Sequence, residues 1–258
     1  MNKSRPSSIY GPVDSWRLGK SLGVDVLCVD SICSFECVYC QLGKINRVTL
    51  DRDIFVTTEE ILEDLAETNW KDADVITFSG SGEPTLAANL GDVISKLKTK
   101  TGKPIVILTN STLLNLPEVR SELSMADKVF CKLDAWSDDV LRRVDRPHVG
   151  IDLESIVEGI CLLRDEVDGF LAIQTMLLRA PCESDIQAFA DLLNRIGPDE
   201  IQLNTPTRPI PPEYFPETRG NEVEYDQGFT QLKTISKTEL ESIRLAVSRL
   251  VGCTVVAR

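Results

Sequence analysis

Val75-Ile-Thr-Phe-Ser-Gly-Ser-Gly-Glu-Pro-Thr85 is the stretch on which the fold turns. Four β-branched or aromatic residues run into a Gly/Ser turn, and an apolar pattern comes next over Leu90–Leu97. That order predicts strand, turn and helix. Ile105–Leu108 reads as the next strand and Lys128–Leu133 as the one after it. Further on, Leu153–Leu163 fits a helix with Ile156, Ile160 and Leu163 on one face. Phe170–Leu178 is a strand, Ile186–Ile196 a helix and Ile201–Leu203 a strand. Upstream, Val24–Leu27 reads as a strand. Thr57-Thr-Glu-Glu60 marks a helix start, with Thr57 capping, Glu60 three positions on, and Ile61, Leu62 and Leu65 as the apolar face. These are about six strand–helix units, which argues for a parallel sheet with helices outside. Right-handed crossovers close such a sheet into a barrel, part of a barrel, or a doubly wound sheet. In each, active residues lie just past the C-terminal ends of the strands.

The texture changes after Leu203. Pro206, Pro209, Pro211, Pro212 and Pro216 exclude a regular helix and suggest an irregular cap or loop. Thr238–Val247 then reads as a terminal helix and Cys253–Val256 as a short strand. Only about forty residues come after Pro216, too few for an independent domain. The expected organisation is a lead-in over 1–17, a core domain over 18–230, and a helix and short strand over 231–258 in the same domain.

The chain has 258 residues, 40 of them acidic against 28 basic, for a net charge of −12. Such a surface does not suit a generic polyanion binder, so nucleic acid is disfavoured as a partner. No run of 18 apolar residues suggests a membrane span, and the first residues lack the apolar core of a secretory signal. The expected location is cytoplasmic, where thiols stay reduced and eight cysteines point to metal or catalysis before disulfides.

Those cysteines are uneven. Cys131, Cys161, Cys182 and Cys253 are scattered, and each is most simply a small buried residue. Cys33-Ser-Phe-Glu-Cys37-Val-Tyr-Cys40, by contrast, can turn three sulfurs to a common centre on one loop. Iron–sulfur clusters take thiolate ligands, usually four. A site with three protein ligands leaves one metal position open, where metal enzymes do their chemistry. The alternative is zinc with a distant fourth ligand, either Cys28 or His148, the only histidine. No second CxxC-like pair accompanies the triad, as zinc sites usually require.

Cys-x3-Cys-x2-Cys, with Tyr39 before the third cysteine, resembles the signature of the radical S-adenosylmethionine (radical SAM) enzymes. The flanks Tyr10–Asp25 and Cys40–Lys44 resemble a largely uncharacterised subgroup near the wyosine-synthase-like proteins. The resemblance runs from about Ile9 to about Pro209. It implies an α/β fold, a partial (β/α)6 TIM-like barrel with a short irregular C-terminal extension. It also implies a [4Fe-4S] cluster on Cys33, Cys37 and Cys40, with the amino and carboxylate groups of S-adenosylmethionine on the fourth iron. In the family an electron from the cluster cleaves the sulfonium, and a 5′-deoxyadenosyl radical takes hydrogen from substrate. A small reductant protein of flavodoxin or ferredoxin type is the implied electron donor.

Further motifs read two ways. Phe78–Thr85 alone is a glycine-rich turn with exposed N–H groups, and no Gly-Lys-Ser/Thr ends it as a P-loop requires. Beside the triad it resembles the family's Gly-Gly-Glu segment for the methionine amino group, with Ser81 in place of the first glycine and Gly82 and Glu83 matching. Asn110 is a turn residue or, by resemblance, a polar neighbour of the cofactor. Asp134 caps the residues just after it or, by resemblance, meets the ribose hydroxyls. Arg146 and His148 are substrate-side candidates, as are Gln174, Asn204 and Arg208 around two strand ends. Arg17 either braces the cysteine loop or meets an anionic ligand. The competing function class is a non-enzymatic iron–sulfur or zinc protein, though a ferredoxin-like carrier would show four closely spaced cysteines. Within the enzyme class, the subgroup's neighbours imply a tRNA base as substrate, and the net charge of −12 weighs against it.

Overall fold

All four residues of Val75–Phe78 are buried, as a strand covered on both faces requires. In the computed structural model, residues 5–28, 30–220 and 228–258 are described. The strands are β1 (Ile9–Ser15), β2 (Gly19–Val24), β3 (Ile32–Cys33), β4 (Arg47–Val48), β5 (Val75–Phe78), β6 (Ile105–Thr109), β7 (Lys128–Lys132), β8 (Phe170–Met176), β9 (Glu200–Asn204) and β10 (Thr254–Ala257). The helices are α1 (Thr58–Ala66), α2 (Leu90–Thr101), α3 (Pro117–Leu123), α4 (Asp138–Val144), α5 (Leu153–Glu166), α6 (Glu183–Ile196) and α7 (Lys237–Ser248).

Eight strands form one sheet in the order β1-β2-β5-β6-β7-β8-β9-β10, and β3 pairs with β4 apart from it. The six expected strands are β2 and β5 to β9, all parallel. The C-terminal extension adds β10, parallel to β9. β1 pairs antiparallel with β2 at the other edge. The sheet is therefore unclosed but curled. Trp16, in the turn between β1 and β2, has its ring 5.4 Å from the guanidinium of Arg258, just past β10. The architecture is the partial TIM-like barrel anticipated from the sequence, extended by one strand at each edge.

Period-two alternation divides the strands between two environments. Ile76, Phe78, Ile105, Ile107, Val129, Cys131, Leu171 and Ile173 join the large core that the helices cover. Their sequence neighbours Val75, Val106, Phe130 and Ala172 form a separate small cluster with Leu18, Leu108 and Phe170 packed on it. Phe130, Leu18 and Leu108 also line a cavity, to which this cluster gives an apolar patch.

Two expectations need correction at the N-terminal end. The strand placed at Val24–Leu27 is instead Gly19–Val24. Asp25 ends it, because its Oδ1 accepts the backbone N–H of Leu27 at 3.1 Å and of Cys28 at 3.0 Å, turning the chain. The 1–17 lead-in also contains an edge strand, β1, hidden in the sequence because Gly11 and Pro12 break its alternation and shift its register. The short helices α3 and α4, seven residues each, carry too few turns to show a period.

Helix α1 begins as its sequence dictates. Thr57 Oγ1 accepts the N–H of Glu60, and the Glu60 carboxylate accepts the N–H of Thr57 at 2.9 Å. Thr57→Ala removes half of this capping box and should cost about 1 kcal/mol. Urea unfolding should show a lower midpoint at unchanged slope.

Candidate active site

The cysteine loop is fastened to the sheet by backbone. After β2 the chain turns at Asp25 and returns as β3. The N–H of Ile32 donates to Ser81 O at 2.9 Å, and the N–H of Glu83 donates to Ile32 O at 3.1 Å. A Cβ on residue 82 would overlap that Ile32 carbonyl, so the close approach requires glycine. Cys33 is thus held beside the turn at the end of β5. The rest of the loop is clamped from outside. Glu36 N–H donates to Asp145 O at 3.0 Å, Val38 N–H to Val144 O at 2.9 Å, and His148 N–H to Ser34 O at 2.8 Å. On the other flank, Phe215 N–H donates to Leu42 O at 2.9 Å, so the proline-rich segment covers the residues after Cys40.

Cys33, Cys37 and Cys40 line one cavity of about 930 Å³ at the C-terminal strand ends. Tyr39, Gly82, Glu83, Asn110 and Asp134 line it too, as do Arg17, Gln174, Asn204 and Arg208. Arg146 and His148 do not. Arg146 is exposed, and the ring Nδ1 of His148 lies 2.8 Å from the carbonyl of Val149. Their loop lies on the outer side of the cysteine loop, where it contributes backbone contacts.

The donor set suits metal-bound thiolates. Burial, reinforced by the charge of Glu83, pushes the Cys33 thiol up to about 12. Burial also raises Cys37 and Cys40, and Lys132 opposes it at both. Two N–H groups nevertheless point at Cys33 Sγ, from Phe35 N at 3.4 Å and Asn110 Nδ2 at 3.5 Å. Donors and a cation beside half-buried sulfurs stabilise thiolate once a metal replaces the protons. Among the described residues, no three His, Cys, Asp or Glu side chains converge on a single ion position. The three thiols suit a larger group, whose metal atoms take one ligand each. Cys28 is absent from the cavity wall, and its thiol donates to the carbonyls of Pro6 and Ser7, both at 3.2 Å. Neither Cys28 nor His148 completes a site with the triad.

Glu83 is buried and held by four donors. Its Oε1 accepts Thr85 N–H at 3.1 Å, Thr85 Oγ1 at 2.8 Å and Thr109 Oγ1 at 2.7 Å, while Oε2 accepts Asn110 N–H at 2.6 Å. Burial raises its pKa and these bonds oppose the rise. Ser81 is turned away from the cavity. Its N–H and hydroxyl donate to Asp25 Oδ2 at 3.0 and 2.6 Å, and its hydroxyl also pairs with the hydroxyl of Tyr214 at 2.7 Å.

Lys132 was not singled out in the sequence, yet it organises the cysteine loop. Its ammonium lies 2.6 Å from Asp134 Oδ2, against Asp145 Oδ1, and over the rings of Phe35 and Tyr39. Burial disfavours the charge, but Asp134 and Asp145 more than offset it and hold the amine protonated. Asp134 also accepts the hydroxyl of Tyr39 and the N–H of Met176 at 2.8 Å. Its carboxylate therefore joins β7, β8 and the cysteine loop. The visible signal was the spacing in Lys132-Leu-Asp134, which puts both charges on the inner face.

Residues 29–193 match the Radical SAM superfamily. The chain belongs to that superfamily. A UPF0026 protein of Synechocystis is 46% identical over 255 residues, covering 98% of this chain and 96% of that protein. In fold the chain is similar to a radical SAM methyltransferase of Sphaerobacter thermophilus, with TM-score 0.64 and 14% identity, covering 92% of this chain and 65% of that one. It is similar also to SuiB of Streptococcus suis, solved bound to S-adenosylmethionine, with TM-score 0.62 and 13% identity, covering 89% of this chain. The chain spans 48% of SuiB's length. The protein is a radical SAM enzyme, and membership implies an iron–sulfur cluster, S-adenosylmethionine and an electron donor. Among the described residues no helix is long and apolar enough to cross a membrane.

Lys132→Met should strand two buried carboxylates and destabilise the protein by about 3–5 kcal/mol. Adding Asp145→Asn should recover part of that loss in urea unfolding. If the single variant is as stable as the parent, Lys132 does not hold these carboxylates in place.

Proposed function

We propose that the protein binds S-adenosylmethionine at a [4Fe-4S] cluster held by Cys33, Cys37 and Cys40, and cleaves it reductively to a 5′-deoxyadenosyl radical. That radical takes hydrogen from a substrate in the same cavity. The observation that carries this reading is the gathering of three half-buried thiols, with N–H donors aimed at Cys33, on the cavity that Glu83 also lines. The bound cluster supplies the electron, and the protein's residues position and enclose the reactants.

Glu83 is the residue suited to the ammonium of S-adenosylmethionine. Its Oε1 accepts from three donors, whereas among the described residues Oε2 accepts from Asn110 N–H only and retains acceptor capacity. Gly82 contributes by letting Ile32 approach, which places Cys33 close to Glu83. Asn110 links the two, donating to Cys33 Sγ and to Ser34 Oγ at 2.7 Å. Tyr39 and Asp134, tied to each other, form the wall on the side of Lys132. Gln174 and Asn204 present amides from neighbouring strands for the polar part of a substrate.

The electron donor in this reading is a small flavodoxin- or ferredoxin-type protein, in a reducing cytosolic setting suited to eight free thiols. A tRNA base as substrate draws on the resemblance of Tyr10–Asp25 to wyosine-synthase-like proteins. A net charge of −12 favours a smaller substrate.

Anaerobically reconstituted, reduced protein should convert S-adenosylmethionine to 5′-deoxyadenosine, and Cys33→Ala, Cys37→Ala or Cys40→Ala should each lose both iron and turnover. Cys28→Ala should keep both. A fully iron-loaded protein that forms no 5′-deoxyadenosine would sink the proposal. Glu83→Gln removes the charge facing the ammonium, and S-adenosylmethionine should bind about tenfold to a hundredfold more weakly at near-normal iron content. Unchanged affinity would leave Glu83 only a brace between Thr85, Thr109 and Asn110.

A further inference from the structure

We infer that the substrate carries a phosphate group, received at the cavity by the guanidinium groups of Arg17, Arg208 and Arg258. This rests on the reading of the cavity as the active site of a radical SAM enzyme. The three arginines come from separate places, the β1–β2 turn, the segment after β9 and the residue after β10, and all three line the cavity that holds the cysteines. Such a gathering of cations stands out in a chain of net charge −12.

Two of the three are aimed and not neutralised. Arg17 and Arg258 stack on the ring of Trp16, at 5.0 and 5.4 Å from its centroid. Among the described residues, neither guanidinium donates a hydrogen bond to a protein acceptor or sits in an ion pair. Contact with the ring holds both groups beside it and leaves their N–H groups for another acceptor. Burial disfavours the charge on Arg17, and Arg208 and Arg258 disfavour it further, with Glu200 in partial compensation. Like charges held together at a half-buried site are relieved by an anionic ligand. Arg208 donates to Gln41 Oε1, one residue past Cys40, and so ties the cationic group to the cysteine loop.

Three guanidinium groups suit a dianion with several oxygens better than a single carboxylate, since each planar fork can grip two phosphate oxygens. The amides of Gln174 and Asn204 on the same wall suit the uncharged remainder of the molecule. A phosphorylated small metabolite meets these requirements, and a long polyanion does not suit a chain of net charge −12.

The test titrates pyrophosphate and, separately, citrate into the reconstituted full-length protein by anaerobic calorimetry, with 5′-deoxyadenosine formation measured on the same batch. Pyrophosphate should bind, and more tightly than citrate. Arg17→Ala and Arg258→Ala should each weaken it about tenfold or more, because a hydrogen bond to a charged group is lost. Arg17→Lys keeps the charge and should recover part of the affinity, and Arg142→Ala, exposed on α4, should change nothing. Absent binding, tighter citrate binding, or equal affinity in the alanine variants would overturn the inference. Calorimetry needs no turnover. Failure here with normal 5′-deoxyadenosine formation refutes only the phosphate site, whereas binding without turnover refutes only the proposed reaction.

Discussion

The carbonyl of Ile32 occupies the space that a side chain at residue 82 would need, and the site depends on that contact. Cys33 comes directly after Ile32, and Glu83 directly after Gly82. A separation of one side chain between the two backbones would therefore move the first thiol away from the carboxylate. The parallel sheet supplies the fixed partner. β5 is buried along its length and delivers the glycine turn at its C-terminal end, where this class of fold places its chemistry. The cysteine loop has little regular structure of its own. It borrows rigidity from the turn on one side and from the Asp145–His148 loop on the other.

A polarity gradient runs up the inner face of the sheet. At the base is the cluster of Val75, Val106, Phe130 and Ala172, of which Phe130 reaches the cavity. Two residues further along their strands stand Thr77, Leu108, Lys132 and Gln174, all on the cavity wall. Burying an ammonium there is tolerable only because two carboxylates flank it, and burying those carboxylates is tolerable only because the ammonium stays protonated. The Lys132, Asp134, Asp145 and Tyr39 group is thus one electrostatic unit whose members cannot be exchanged singly. It couples the ends of β7 and β8 to the loop that carries the cysteines.

The strands legible in the sequence were those buried on both faces. Val75–Phe78 and Ile105–Leu108 are short apolar runs between turns, and the strands lie at or within one residue of those limits. The capping box at Thr57 was legible because it is local chemistry. What escaped was decided at long range. β1 is a strand because β2 offers it an edge, despite Gly11 and Pro12. The strand at Val24–Leu27 was misplaced because the Asp25 side chain, whose partners include Ser81 and Arg219, turns the chain there. Among site residues, the cysteine triad and Glu83 were legible from spacing and resemblance, and the cavity gathers them. Arg146 and His148 looked reactive by residue type alone, and residue type does not report which side of a loop faces inward. Arg258 was invisible for the opposite reason, since its partner Trp16 is distant in sequence, whereas Lys132 left a local trace in its spacing from Asp134.

Arg219 reaches back across 194 positions to donate to Asp25 at 2.6 Å. Its guanidinium also lies over the ring of Tyr10, 5.4 Å from the centroid. These partners belong to the first two strands and the turn after them, whereas Arg219 comes after every parallel strand except β10. Contacts of such sequence separation form late in folding, because most of the intervening chain must be ordered before its ends can meet. The segment beside the cysteine loop is therefore held by a contact that exists only once both ends of the chain are in place, so its hold on the loop is a property of the complete fold and not of any local stretch.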